Sequence, residues 1–232
     1  MKKYRYRQSN SDHTLFIKKR VGKITCLIIY VDDMIITGDD TEEMSELRKN
    51  LFNVFEMKDL GQLKYFLGIE VLRSKKGIFI NQRKYILDLL AEVGMLDCKP
   101  ADTPMVQNHG LQMTKEAKPA DRGSYQRLVG KLIYLSHTRP DIAYAVGVVS
   151  QFMHAPQEEH WETTIRIVRY LKGTVDHGLL FEKHGHLEIS GFTDADWAGN
   201  PNDRRSTAGV LYLRRRESCD IEKQEAEGGS TV

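Results

Sequence analysis

Two adjacent carboxylates, Asp32 and Asp33, lie between an apolar run of strand length, Ile24-Thr25-Cys26-Leu27-Ile28-Ile29-Tyr30, and a second one, Met34-Ile35-Ile36-Thr37. The β-branched residues on both sides predict a tight antiparallel hairpin, strands about 24–30 and 34–38, with the acids at its turn. A rigid turn that holds carboxylate oxygens clear of a sheet suits hard divalent cations. Two such cations, about 3.5–4 Å apart, drive phosphoryl transfer by stabilising the attacking and leaving oxygens. Aspartate also favours turns through its own local hydrogen bonding, so an ordinary turn stays open as the alternative. A further acid, Asp194, ends the strand-like run Ser190-Gly191-Phe192-Thr193. Asp196 would share its face by strand alternation, though a solvent-facing acid before Trp197-Ala198-Gly199 reads equally well.

Other reactive residue types weigh less. Gly130-Lys131 is followed by Leu132, so it lacks the hydroxyl and the spacing of a phosphate-binding loop. His184-Gly185-His186 reads as a surface turn. His154, His160 and Trp161 fall in a helical segment where packing and capping account for them. Charge is sorted along the chain. Lys2, Lys3, Arg5, Arg7, Lys18, Lys19, Arg20 and Lys23 face the single acid Asp12, and Asp32, Asp33, Asp39, Asp40, Glu42 and Glu43 follow. Such a juxtaposition suits a site that handles a polyanion together with divalent cations. Two solvated faces of opposite sign would give the same pattern.

The elements that must position these residues are legible from periodicity. After the hairpin, Asp40-Thr41 starts a helix with Met44, Leu47, Leu51, Phe52 and Phe55 at helical spacing and acids in its first turn. Residues 65–72 and 77–80 predict a strand pair, and a helix over about 82–93 ends at Gly94. Residues 97–120 read as a linker. Helices are expected over 124–137, over 141–153, and from Pro156 in a first turn to Gly173. Strand-like runs return at 178–182, 187–193 and 208–213. A chain of 232 residues with net charge +2 can bury a core, and its balance of charge selects no partner. Cys26, Cys98 and Cys219 are too few and too scattered for a disulfide framework or a zinc site. No apolar signal segment and no run of transmembrane length occurs, so an intracellular setting, cytoplasmic or nuclear, is expected, with no membrane partner.

The flanks of the aspartate pair carry a resemblance. Phe55-Glu56-Met57-Lys58-Asp59-Leu60-Gly61, Tyr65-Phe66-Leu67-Gly68-Ile69-Glu70, Thr103-Pro104-Met105 and Tyr125-Gln126-Arg127-Leu128-Val129-Gly130 are followed by Tyr134-Leu135-Ser136-His137-Thr138-Arg139-Pro140-Asp141-Ile142, Arg169-Tyr170-Leu171-Lys172-Gly173-Thr174 and Thr193-Asp194-Ala195-Asp196-Trp197-Ala198-Gly199. In that order, over about residues 5–213, they resemble the Pol polyprotein of copia-type retrotransposons, spanning the C-terminal part of its reverse transcriptase and the start of its RNase H. The resemblance implies an α+β fold: a partial palm over 1–104, a helical thumb or connection over 105–185, and the first strands of an RNase H-like fold over 186–213. It implies Asp32 and Asp33 as catalytic, metal-binding palm residues and Asp194 as an RNase H metal ligand. It implies magnesium or manganese in a two-metal site and an RNA/DNA primer–template as partner.

The family's palm uses a further aspartate upstream, with which none of these residues aligns. The expectation is therefore a fragment inactive alone, with a retained nucleic-acid-binding module or an enzyme completed by an upstream fragment as alternatives. Apolar surface left uncovered around Ile28, Ile36 and Phe66 predicts self-association. From residue 214 the sequence turns abruptly polar, and 214–232 are expected to be a disordered, frameshifted tail. Coded as CGG CGG CGG GAA TCT TGT, Arg214 to Cys219 shifted by one base read Gly-Gly-Gly-Asn-Leu-Val. Allowed codons for 222–226 give Arg-Ser-Lys-Lys-Gln in the same frame, and both segments resemble the family's.

Overall fold

A computed structural model describes residues 1–182, together with 189–196 and 207–214; of Lys2 and of the last two stretches it describes the backbone. Helices and antiparallel sheets are mixed, in agreement with the α+β expectation. The chain divides into two compact units, residues 1–66 and 67–232.

The first unit is a meander. β1 (Arg7–Gln8), β2 (Leu15–Arg20), β3 (Lys23–Tyr30) and β4 (Asp33–Gly38) pair in sequence order, and α1 (Thr41–Val54) follows, with the two-residue β5 (Tyr65–Phe66) at its end. Asp40 caps α1 by accepting the Glu43 N–H at 3.1 Å. Leu47 and Leu51, one turn apart on α1, are buried against Leu27 and Tyr6, with Phe16, Ile29, Met34 and Ile36 around them. The register explains which strand residues take part. Leu27 lies opposite Phe16 on one side and Ile36 on the other, so all three point to the helix.

Ile36, expected on an uncovered face, is instead partly buried against this core. Ile28 pairs with Leu15 and Ile35 on the opposite face, which no helix of this unit covers. Strand β2 was not anticipated. Its Lys-Lys-Arg end belongs to the basic stretch, and alternation sends Lys18 and Arg20 to one face and Lys19 to the other.

The second unit has β6 (Ile69–Arg73), β7 (Gly77–Asn81) and β8 (Gly178–Glu182) paired in that order, with β7 central. Helices α2 (Arg83–Glu92), α3 (Arg122–Leu135), α4 (Ala143–Ser150) and α5 (Glu158–Gly173) bury Ile86, Leu90, Val129, Leu132, Val149 and Ile167, among others. The expected strand over 65–72 is interrupted, because Leu67 (φ 51°) and Gly68 (φ 86°) turn left-handed. Pro156 lies before α5, whose cap is Gln157, with the His160 Nδ1 accepting the Gln157 N–H at 3.0 Å. The helix expected over 141–153 is shorter. Gln151, Phe152 and Met153 N–H groups bond three residues back, so its end tightens into successive turns.

Residues 97–120 contain no helix or regular strand, yet they are no free linker. Gln157 pairs its side-chain amide with both backbone groups of Thr114, Glu158 N–H donates to Lys118, and Ala120 N–H donates to Pro156. Arg169 Nε donates to the Lys99 carbonyl at 2.9 Å, and Leu111 enters the core. The segment is a strap along α5.

A third hairpin, β9 (Ile189–Asp196) with β10 (Thr207–Arg214), pairs Asp194 with Gly209. His184, His186, Trp197 and residues 215–232, with the expectations attached to them, lie outside the described residues.

Candidate functional site

The aspartates sit where the strand pattern puts them. Tyr30 pairs with Asp33, which leaves Val31 and Asp32 as a two-residue loop. Val31 has φ 51° and is 80% exposed. A left-handed backbone at the first loop position matches the twist of a hairpin, and glycine usually supplies it. For a β-branched residue it costs about 1–2 kcal/mol. The tip is therefore held in a strained conformation by the long β3–β4 ladder. Asp32 and Asp33 are both exposed, and neither carboxylate is engaged by a hydrogen bond or ion pair among the described residues. By alternation Asp33 shares its face with Tyr30, Ile28 and Ile35, the face away from α1.

The neighbouring acids have different duties. Glu43 is buried, receives the Tyr6 hydroxyl at 3.1 Å and pairs with Lys18 at 2.7 Å. Burial first, and then Glu43, push the Tyr6 phenol well above its usual range. Arg20 grips Asp40 through Nε at 2.9 Å and Nη2 at 3.1 Å, and reaches Glu42 at 2.9 Å. The hydrogen bond from Arg20 and then the cap to Glu43 hold the Asp40 carboxyl below the usual range. Asp39 accepts the Ile24 N–H at 2.6 Å. So much of the basic and acidic charge that sequence reading assigned to ligands is consumed inside the unit. Asp32 and Asp33 are what remain. Two unengaged carboxylates on a rigid turn fit ligands for a hard divalent cation. Among the described residues, no cluster of three or more His, Cys, Asp or Glu is placed to hold a metal.

The motifs of the second unit are built for packing. Glu70, from Phe66-Leu67-Gly68-Ile69-Glu70, accepts the Lys84 N–H at 2.8 Å and so caps α2, whose own Gln82 makes no side-chain cap. Gln82 instead accepts the Thr138 hydroxyl at 2.7 Å. Arg139 is fully buried. Its guanidinium donates to both Asp141 oxygens, at 3.0 and 2.7 Å, and to the carbonyl and hydroxyl of Thr174, at 2.8 and 2.6 Å. The Tyr170 hydroxyl donates to Asp141 at 2.9 Å. Burial would raise the Asp141 carboxyl, but Arg139 overrides it and leaves the group below its usual value. The blocks around Arg139 and Thr174 thus meet as one buried lock. Sequence reading missed this because the partners are 35 residues apart. A shallow cavity of about 320 Å³ between Pro104, Met105 and Tyr144 borders Asp141, whose oxygens the lock occupies.

Among the described residues no helix is long and apolar enough to cross a membrane. Residues 1–107 match the family model for reverse transcriptase (RNA-dependent DNA polymerase). The chain is 45% identical over 206 residues to the retrovirus-related Pol polyprotein from transposon RE1 of Arabidopsis thaliana, a match covering 88% of this chain and 14% of that protein. It is 37% identical to the retrovirus-related Pol polyprotein from transposon TNT 1-94 of Nicotiana tabacum, over 91% of this chain and 17% of that one. An uncharacterized mitochondrial protein of Arabidopsis thaliana is 43% identical, over 89% of this chain and 84% of its own. The chain thus spans about a seventh of the RE1 polyprotein and most of the mitochondrial protein. No solved structure gives a significant match. An ordered match over nine-tenths of the chain, with the Tyr30–Asp33 hairpin inside the matched model, settles kinship: the chain belongs to the reverse-transcriptase family of copia-type retrotransposon Pol polyproteins.

Proposed function

We propose that the chain is the part of a reverse transcriptase that presents metal-binding aspartates to a primer terminus. Residues 1–104 act as the C-terminal part of the palm, 105–185 as a thumb or connection, and 186–213 as the start of an RNase H-like domain with Asp194 as a metal ligand. The observation that carries this reading is the hairpin tip. Asp32 and Asp33 are exposed and unengaged while every acid from Asp39 to Glu43 is tied into the fold. Magnesium or manganese bound there would stabilise the attacking 3′-hydroxyl and the leaving phosphate oxygens. The chain's own contribution is positional. The β3–β4 ladder holds the carboxylates clear of the sheet and sets the Tyr30 ring beside Asp33. Two carboxylates are a weak hold on two metals, so residues 1–232 alone are inactive and need a further carboxylate.

Primer extension on an RNA template with magnesium or manganese tests the reading. The chain alone should incorporate no nucleotide. Mixed with the polypeptide that precedes this segment in a relative's polyprotein, it should incorporate, and Asp32→Asn or Asp33→Asn should abolish the activity. Robust incorporation by the chain alone, or activity in the mixture that survives both substitutions, would overturn it. A second reading, a nucleic-acid-binding module without catalysis, is favoured by the exposed cations Arg7 and Lys19. Binding without incorporation in any mixture selects it.

A further inference from the structure

Strand alternation sorts the basic residues near the N-terminus into two sets. Lys18 and Arg20 point toward α1 and are neutralised there by Glu43, Asp40 and Glu42. Lys19 points the other way, opposite Ile24, and Arg7 lies opposite Ile17 on that same face. Both are exposed, and neither side chain is engaged by a hydrogen bond or ion pair among the described residues. The face they share continues through Cys26, Ile28 and Ile35 to Tyr30, 48% exposed, and Asp33. One sheet surface therefore carries free carboxylates and an aromatic ring at one end and free cations at the other.

Spacing decides what those cations can touch. Arg7 lies in the row of Cys26, and Lys19 in that of Ile24, four and six residues from Tyr30 along β3. At about 3.4 Å per residue along β3, and about 4.8 Å for each strand between, they stand roughly 17 and 21 Å from Tyr30. That is too far to reach a metal or a nucleotide at Asp32 and Asp33. It matches a backbone phosphate several nucleotides away, since each strand of a duplex advances about 3.4 Å per nucleotide. Arg7 and Lys19 are themselves roughly 8 Å apart, from two residues of rise and one strand spacing, within reach of phosphates one or two apart.

We propose that Arg7 and Lys19 hold the phosphate backbone of a nucleic-acid duplex whose end lies at the Asp32–Asp33 tip, on the sheet face away from α1. This rests on the reading of the hairpin as the part that meets a primer terminus. It excludes Lys18 and Arg20, which composition would include.

The test is binding of the full chain to a fluorescent RNA–DNA hybrid across a salt series. Arg7→Ala with Lys19→Ala should weaken binding about tenfold and flatten the slope of log affinity against log salt by about 2, one for each phosphate left without its cation. Lys49→Ala with Lys58→Ala removes two exposed cations from α1 and the segment after it, and should change neither quantity. Arg7→Lys should keep most of the affinity that Arg7→Ala removes, because a phosphate needs charge more than shape. If the native chain binds the hybrid and the Arg7/Lys19 pair has the same affinity and slope, the inference fails while the reading of the hairpin stands. If the native chain shows no salt-dependent binding, both fall. Equal losses from the α1 pair would show diffuse attraction and overturn the assignment of this face.

Discussion

Replacing Arg139 with alanine should be among the most damaging single changes in the second unit. The guanidinium is fully buried and donates four hydrogen bonds, two to Asp141 and two to Thr174. Once Arg139 is gone Asp141 keeps the Tyr170 hydroxyl and its own backbone N–H but no cation among the described residues, and its side chain is 10% exposed. Adding four charge-assisted bonds at about 1.5–3 kcal/mol each would overshoot, because removal also relieves the cost of burying the cation. What remains is the penalty of an unpaired buried carboxylate, about 3–5 kcal/mol. For a unit of this size that is a fall in melting temperature of about 6–20 °C. Thermal unfolding by circular dichroism measures it, and a cycle with Asp141→Asn isolates the pair. Once Asp141 is amidated the Arg139 substitution should cost far less, since the uncompensated charge is gone. The pH dependence has a definite sign. The Asp141 carboxyl is held below its ordinary value in the fold, so its contribution is present above the unfolded value near 4 and is lost as pH falls through the folded one. A loss under 1 kcal/mol, or strict additivity of the two substitutions, would show that the lock does not hold these helices together.

His160 is buried, stacked on Phe152 at 3.8 Å, and its Nδ1 accepts the Gln157 N–H, so only the neutral ring can cap α5. Burial lowers its pKa, so stability should be full above the unfolded value of about 6.5 and decline as pH falls from there toward the folded one; a flat response of the native chain relative to His160→Gln across that window would refute this. Val31→Gly should raise the stability of the first unit by about 0.5–1 kcal/mol, the strain relieved less the entropy of glycine; a lower denaturant midpoint would contradict the strained tip. The coding DNA of residues 214–226, read one base on, should give Gly-Gly-Gly-Asn-Leu-Val and then Arg-Ser-Lys-Lys-Gln; any other codons end the frameshift proposal.

What the sequence made legible was local. The hairpin around Asp32 and Asp33 is visible because β-branched runs flank a two-residue break, and α1 because acids and leucines fall at the spacing of one helix face. His160 is assigned to capping from its helical setting alone, and the bond from Gln157 shows why that suffices. What stayed hidden depends on pairing between distant segments. The Pro-rich stretch 97–120 has no periodicity of its own, because its hydrogen bonds go to α5 and not along itself. Strand β8 joins β7 across a gap of about a hundred residues, a partnership no window along the chain displays.

The charges show the same division most sharply. In order along the chain, Lys18, Lys19 and Arg20 are three equivalent cations beside a cluster of acids. The period of two in a strand separates them. Lys18 and Arg20 lie over α1, where Glu43 and Asp40 are buried and would be left unpaired without them, so their first duty is to the fold. Among the described residues Lys19 pairs with no acid, and its ammonium stays free for a ligand. Losing Lys18 should therefore cost stability by stranding Glu43, and losing Lys19 should cost none. Net charge cannot tell the two apart, because it counts both as +1; what distinguishes them is the face to which the strand assigns each side chain.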